Sequence, residues 1–237
     1  MIDLYTSPTP NGYKASVTLE ELGLPYEVHA IDLSKNVQKE PWFLAINPNG
    51  RIPAIVDRDF TPPLAVFESG AIMIHLAEKT GRLLPTDPLR RFNVIKWLFW
   101  QTSSQGPLLG QAAHFVSHAA SRGIDAQYAV DRYRREACRL YGVLETQLVG
   151  RDYIDDEFSI ADIAAFPWVR VAKGQGVNLD EFPNVKRWCA GVAQRPSARR
   201  KLERDDATKQ AAKSNYYADE TWNLLFGGHS PNRSVAP

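Results

Sequence analysis

Cysteine is scarce in this chain: Cys138 and Cys189 are the only two, far apart, in neither CxxC nor metal-ligand spacing. That argues against a dithiol mechanism carried by the protein, and a reducing cytoplasm is the simplest setting for it. An excess of either charge is also missing, since 28 Lys and Arg meet 27 Asp and Glu for a net +1. A balance so close argues against nucleic acid or an anionic membrane as the main partner. No apolar run approaches the roughly eighteen residues a bilayer span needs, and Met1-Ile2-Asp3 begins a strand rather than a signal peptide. Internal repeats and low-complexity blocks are absent too. His114 and His118 have i,i+4 spacing, but no carboxylate or cysteine completes a metal set around them, so no metal is expected.

What is present is concentrated in Asn47-Pro48-Asn49-Gly50-Arg51-Ile52-Pro53-Ala54-Ile55-Val56-Asp57, followed by Phe67-Glu68-Ser69-Gly70. Proline cannot donate to a sheet ladder, so Pro53 at the head of a strand needs an edge, a bulge or a special peptide bond. A cis Ile52-Pro53 bond is one solution, and it turns the Ile52 N–H and C=O outward as a pair for an extended peptide. Glu68-Ser69 then offers a carboxylate, a hydroxyl and helix N-terminal amides, suited to an ammonium and a carboxylate held together. A small peptide with an amino-acid-like end fits such a site.

The first 85 residues mix strands and helices. Strands are expected over 2–5, 26–31, 52–57 and 64–67, a turn-rich loop over 7–12, and helices over 13–22 and 69–79, each stopped by a glycine. This order describes a small four-stranded mixed sheet with helices packed on it. A Pro-rich linker at 86–90 follows, and residues 91–204 read as helix. The periodicity predicts helices over 92–101 and 128–148 and an almost wholly apolar one over 160–168. Ser159 and Asp162 form a capping-box-like pair at the start of the last. The tail from 205 to 237 is polar, with Tyr216, Tyr217, Trp222, Leu224, Leu225 and Phe226 expected to dock and 227–237 expected to be disordered.

A thioredoxin-like sheet domain joined to an all-helical domain, with Ile52-Pro53 and Glu68-Ser69 in the first, resembles the glutathione S-transferase superfamily over roughly residues 1–203. The capped helix opening Ser159-Ile160-Ala161-Asp162 resembles that family's folding motif. More narrowly, Pro8-Thr9-Pro10-Asn11-Gly12, Pro48-Asn49, Trp97-Leu98-Phe99-Trp100-Gln101 with Gly106-Pro107, and Arg132-Tyr133 are similar to the nu-class branch. That branch contains bacterial glutathione-dependent disulfide-bond oxidoreductases and relatives of a fungal nitrogen regulator.

The resemblance implies a role for each of several residues. Ile52 pairs its backbone with the cysteinyl part of glutathione, and Glu68 and Ser69 hold the γ-glutamyl end. Thr9 and Asn11 contact the sulfur, Gln38 the glycine end, and Arg132 reaches the site from the helical domain. Gln38 carries no signal of its own, and Arg132, in a run with Arg134 and Arg135, reads on spacing alone as a solvated helix charge.

A thiol with a pKa near 8.5 is mostly protonated at neutral pH, so a site that uses glutathione must stabilise its thiolate. Tyr5, Ser7, Thr9, Tyr13, Asn11 and the amides of the following helix are the available donors. Tyr5 lies within a strand; Thr9 and Asn11, in the loop, are the choice, although turns favour such residues in any case. With no cysteine in this loop, a reductase here takes its electrons from glutathione itself, from one molecule used in sequence or two held together. The expected activity is reduction of small disulfides or organic hydroperoxides by a homodimer. Conjugation of glutathione to an electrophile, and a non-catalytic binding or regulatory module, remain alternatives.

Overall fold

The computed structural model describes residues 1–200 and 219–227. Four strands, β1 (Ile2–Thr6), β2 (Tyr26–Ala30), β3 (Ala54–Asp57) and β4 (Leu64–Phe67), form one sheet in the order β2-β1-β3-β4. β1 pairs parallel to β2 and antiparallel to β3, which pairs antiparallel to β4; Leu4 lies opposite both Val28 and Ile55. Alternation then sends Ile2, Leu4 and Ile55 to one face, where they pack on Ala15, Leu19, Ile72 and Leu76 of α1 (Pro10–Leu22) and α3 (Ser69–Thr80). The opposite face is covered by α2 (Pro41–Ile46), whose Phe43 is buried against Ile31 and Ala54. This is the thioredoxin-like sheet domain the sequence implies.

The start of α1 differs from expectation. Residues 10–12 belong to the helix, because Thr9 is its N-cap, its Oγ1 accepting from the Gly12 N–H at 3.1 Å. Pro10 fits the first helical position, where no N–H is required. Gly12 is needed there, since a Cβ on it would lie 2.2 Å from the Ser7 carbonyl oxygen. Asn11 therefore stands in the first helical turn, not in a loop. β3 likewise begins at Ala54, two residues later than expected, leaving Ile52 and Pro53 in the preceding loop.

The helical domain opens earlier than periodicity predicts, with α4 (Pro88–Trp100), because Asp87 caps it by accepting from the Arg90 N–H. α4 runs into a π-helical turn, Gln101–Gln105, then α5 (Gly106–Ala113) and a second π-helical turn, His114–Ala119. α6 (Gln127–Gln147), α7 (Ile160–Val169) and α8 (Pro183–Ala193) complete the bundle. All of α7 but Trp168 is buried. Its capping box is complete, and the fully buried Asp162 accepts from the Ile154 and Ser159 amides and from Trp188 Nε1 at 2.8–3.0 Å. Tyr13, Val17, Met73 and Ala77 of the sheet domain join this helical core. At the domain boundary Glu21 of α1 also accepts from Arg195 and Ser197.

A short helix, Asp219–Phe226, comes from the tail. Trp222 stacks on His114 with centroids 5.5 Å apart, Phe226 packs on His114 and His118, and the Arg122 guanidinium lies over Trp222. Tyr216, Tyr217 and 228–237 fall outside the described residues. Among the described residues no helix is long and apolar enough to cross a membrane.

Candidate active site

A cavity of about 490 Å³ lies where the two domains meet. Its floor is the first turns of α1, through Asn11 and Lys14. One wall is the loop 47–53, and beside it stand Glu68 and Ser69 at the head of α3. The opposite wall comes from the helical domain, where Thr102 lies in the π-helical turn and Gly106, Leu108 and Gln111 in α5, with Trp168 of α7 behind them. π turns widen a helix locally and often sit at functional sites.

The loop is held by Asn47, which is buried and spends its whole side chain on local backbone. Its Nδ2 donates to the Arg51 carbonyl at 2.6 Å and its Oδ1 accepts from the Asn49 N–H at 2.9 Å. Gly50 takes a positive φ of 59°, which a side chain would strain, and Lys39 Nζ donates to the Asn49 carbonyl. Arg51 and Ile52 are thereby presented to the cavity, and the Ile52-Pro53 peptide is cis. A second cis bond, Thr61-Pro62, lies in the β3–β4 hairpin.

Glu68 caps α3 at φ 68° and ψ 118°, backbone geometry that is costly for a residue with a Cβ and that recurs at ligand sites. Its Oε1 accepts from Asn49 Nδ2 at 3.3 Å, tying the helix start to the loop. Ser69 is only 8% exposed, and its Oγ accepts from Lys14 Nζ at 3.5 Å.

Asn11, Ile52, Glu68 and Ser69 thus line one cavity. Thr9, the cap of α1, is not among the lining residues; its Oγ1 accepts from the Gly12 N–H, which leaves the hydroxyl proton to donate. In the same turn the Tyr13 N–H bonds the Thr9 carbonyl, whereas the Asn11 N–H has no partner among the described residues. Gln38 lies behind the loop in a 3₁₀ turn. It is buried, with Nε2 on Asn36 Oδ1 at 3.0 Å and Oε1 unpartnered, and its carbonyl lies close against Gly50. Arg132 lies elsewhere, in a hollow of about 520 Å³ with Tyr133, Arg135 and Arg139; Leu108 borders both spaces. Tyr5 stacks on His29 at 4.7 Å and packs on Phe43. Cys138 is in α6 and Cys189 in α8, where burial pushes the Cys189 thiol up to about 11; neither lines the cavity.

Sequence reasoning missed Lys14 and Trp168, and it gave no role to Arg51, which lines the cavity, or to Gln101, which bonds Lys14 behind it. Lys14 is 2% exposed, donates to Gln101 Oε1 at 2.6 Å, and has its pKa pulled down to about 7 by burial, against an upward pull from Glu68. One signal was available: Lys14 stands three residues after Asn11 and three before Val17, so a helix through them puts it on a buried face, where an unpaired lysine is rare.

A mixed four-stranded sheet with a cis-proline loop, facing a helical bundle across a cleft, defines a thioredoxin-like domain coupled to an all-helical one. The family model "Glutathione S-transferase, N-terminal domain" matches residues 1–78, and "Glutathione S-transferase, C-terminal domain" matches residues 111–196. The chain belongs to the glutathione S-transferase family. It is 47% identical over 201 residues to Disulfide-bond oxidoreductase YfcG of Escherichia coli (strain K12), covering 83% of this chain and 92% of that protein. A glutathione transferase from Pseudomonas putida, solved with one glutathione disulfide per subunit, superposes with a TM-score of 0.81 at 42% identity, over 85% of this chain and 90% of that one. A glutathione transferase from Burkholderia graminis, solved with two glutathione molecules per subunit, gives 0.79 at 44% identity, over 85% and 87%.

Proposed function

We propose that this chain is a glutathione-dependent disulfide-bond reductase that draws both electrons from bound glutathione and uses no cysteine of its own. The observation that carries the reading is the composition of the cavity. It joins the Ile52 backbone, Glu68 and Ser69 to the N-terminus of α1, and neither of the chain's two cysteines is in it. The likeness to a protein named a disulfide-bond oxidoreductase supports the reading. So do relatives solved with glutathione disulfide or with two glutathiones.

In this reading Ile52 pairs with the cysteinyl backbone, Glu68 takes the ammonium and Ser69 the carboxylate of the γ-glutamyl end. Asn11, through its amide and its free N–H, and Thr9, through its hydroxyl, face the sulfur, where the α1 dipole also favours an anion. Gln38 serves the glycine end through the loop. Arg132 acts from the adjoining hollow as a long-range positive charge. One glutathione thiolate attacks the disulfide RSSR, forming the mixed disulfide and releasing RS⁻. A second attacks the glutathione sulfur of that intermediate, giving glutathione disulfide and another RS⁻, which water protonates. An organic hydroperoxide is reduced to its alcohol and water by the same two thiols.

The test is purified protein with glutathione and a model dialkyl disulfide, followed by glutathione disulfide production. A rate no greater than the uncatalysed background refutes the reductase. Faster turnover of a chloro-nitroaromatic than of any disulfide would make the chain a conjugating transferase. No binding of glutathione or its disulfide by calorimetry would leave a scaffold module.

A further inference from the structure

Lys14 is a buried cation with unfinished hydrogen bonding. An ammonium has three N–H donors and no acceptor. Two are taken, by Gln101 Oε1 at 2.6 Å and Ser69 Oγ at 3.5 Å, and no described residue accepts the third. No carboxylate lies within ion-pairing distance of Nζ among the described residues, and Glu68, the one charge acting on it, is hydrogen-bonded to Asn49. A charge taken from water without a counter-charge is costly, and proteins keep one where a partner arrives. Lys14 lines the cavity between Asn11 and Ser69, so the arriving partner is the cavity's ligand.

We propose that Lys14 is a ligand-binding residue, whose ammonium pairs with the carboxylate at the amino-acid-like end of the bound peptide and turns the Ser69 hydroxyl toward it. The inference rests on the proposed use of glutathione. The second half follows from valence. The ammonium form only donates, so with the carboxylate bound Ser69 Oγ accepts from it and keeps its own proton for the carboxylate. Gln101 must likewise present its carbonyl to Nζ. Because Ser69 belongs to the sheet domain and Gln101 to the helical domain, Lys14 also fixes the two cavity walls against each other.

Elements packed on α1 carry other titratable groups, but these are engaged. His75 and Lys79 of α3 bond Asp57, Glu78 bonds Arg91, and Asp162 of α7 is held by its own cap and Trp188. On β1, Asp3 pairs with Arg58 and His29. Arg51 and Glu68 are the other charged side chains of the cavity. With its pKa drawn down to about 7, Lys14 loses part of its charge near neutral pH, and a carboxylate beside it draws a proton in.

The experiment is calorimetric titration of the unmodified protein with S-methylglutathione, which has no thiol to ionise, at about pH 7 in two buffers of different ionisation enthalpy. Net proton uptake on binding is expected, with none in Lys14→Met. That variant should bind at least about tenfold more weakly, the loss of a charge-assisted hydrogen bond. Binding without buffer dependence overturns the role of Lys14 and leaves the glutathione reading standing, as does a Lys14→Met affinity within about twofold of wild type. No binding to the unmodified protein overturns both. The unmodified protein decides the question even if Lys14→Met fails to fold.

Discussion

Asn11 and Glu68 are both polar and both line the cavity, yet their roles are expected to separate in kinetics. Asn11 faces the sulfur, whose charge develops on ionisation, so Asn11→Ala should lower turnover about 10- to 100-fold with little change in glutathione affinity. Glu68 holds an ammonium already charged in the ground state, so Glu68→Ala should weaken binding by about tenfold or more. Equal losses of binding in the two variants would undo this division, and steady-state kinetics against glutathione reads it directly. Lys14 adds a pH dependence to stability. Its folded pKa of about 7 lies below the ordinary lysine value of 10.5, so between these values the unfolded chain binds more protons. The unliganded protein should then gain stability as pH rises through this window, by at most about 1.4 kcal/mol per pH unit. Urea unfolding across it should show a shallower slope in Lys14→Met; identical slopes would rule this out.

At the scale of elements, caps carried much of the legible information. The Ser159–Asp162 pair was readable because a capping box is a local pattern, and the structure adds that Asp162 also receives Trp188 from α8. Asp162→Ala orphans two backbone amides and an indole N–H in the core. It should cost about 3 kcal/mol or more, seen as a lowered midpoint in thermal or urea unfolding. Pro8, Pro10 and Gly12 all read as turn residues and so place the start of α1 too late, whereas Thr9 as N-cap and Pro10 at the first helical position make them a helix entry. Gly12→Ala should test that entry: the added methyl meets the Ser7 carbonyl, shifts the first turn and costs both stability and turnover. Unchanged kinetics would show that the turn's position does not matter to catalysis.

Across the whole molecule, α4 leaves Leu89, Phe92 and Phe99 on the surface, at 83%, 70% and 62% exposure, on one helical face. We infer that this face is where two copies meet. Sedimentation velocity should then give a dimer, with Phe92→Asp shifting it toward monomer; a monomeric wild type would refute the assignment. By itself the sequence determined whatever rests on neighbouring residues: the four strands in their order, the helices that became α1, α3, α4, α6 and α7 (though not α2, α5 or α8), the Ile52-Pro53 loop, the Glu68-Ser69 helix start, the α7 cap and the want of a useful cysteine. Such features follow from dihedral preferences and periodicities that act over a few positions. Only the tertiary structure decided that Lys14 would stand between Ser69 and Gln101, which are 55 and 87 positions away. It also put Arg132 in a separate hollow and packed Trp222 on His114. Contacts of that separation leave no local pattern. They exist because two domains bury a shared core, and that burial brings distant polar groups into one place where each must find a partner.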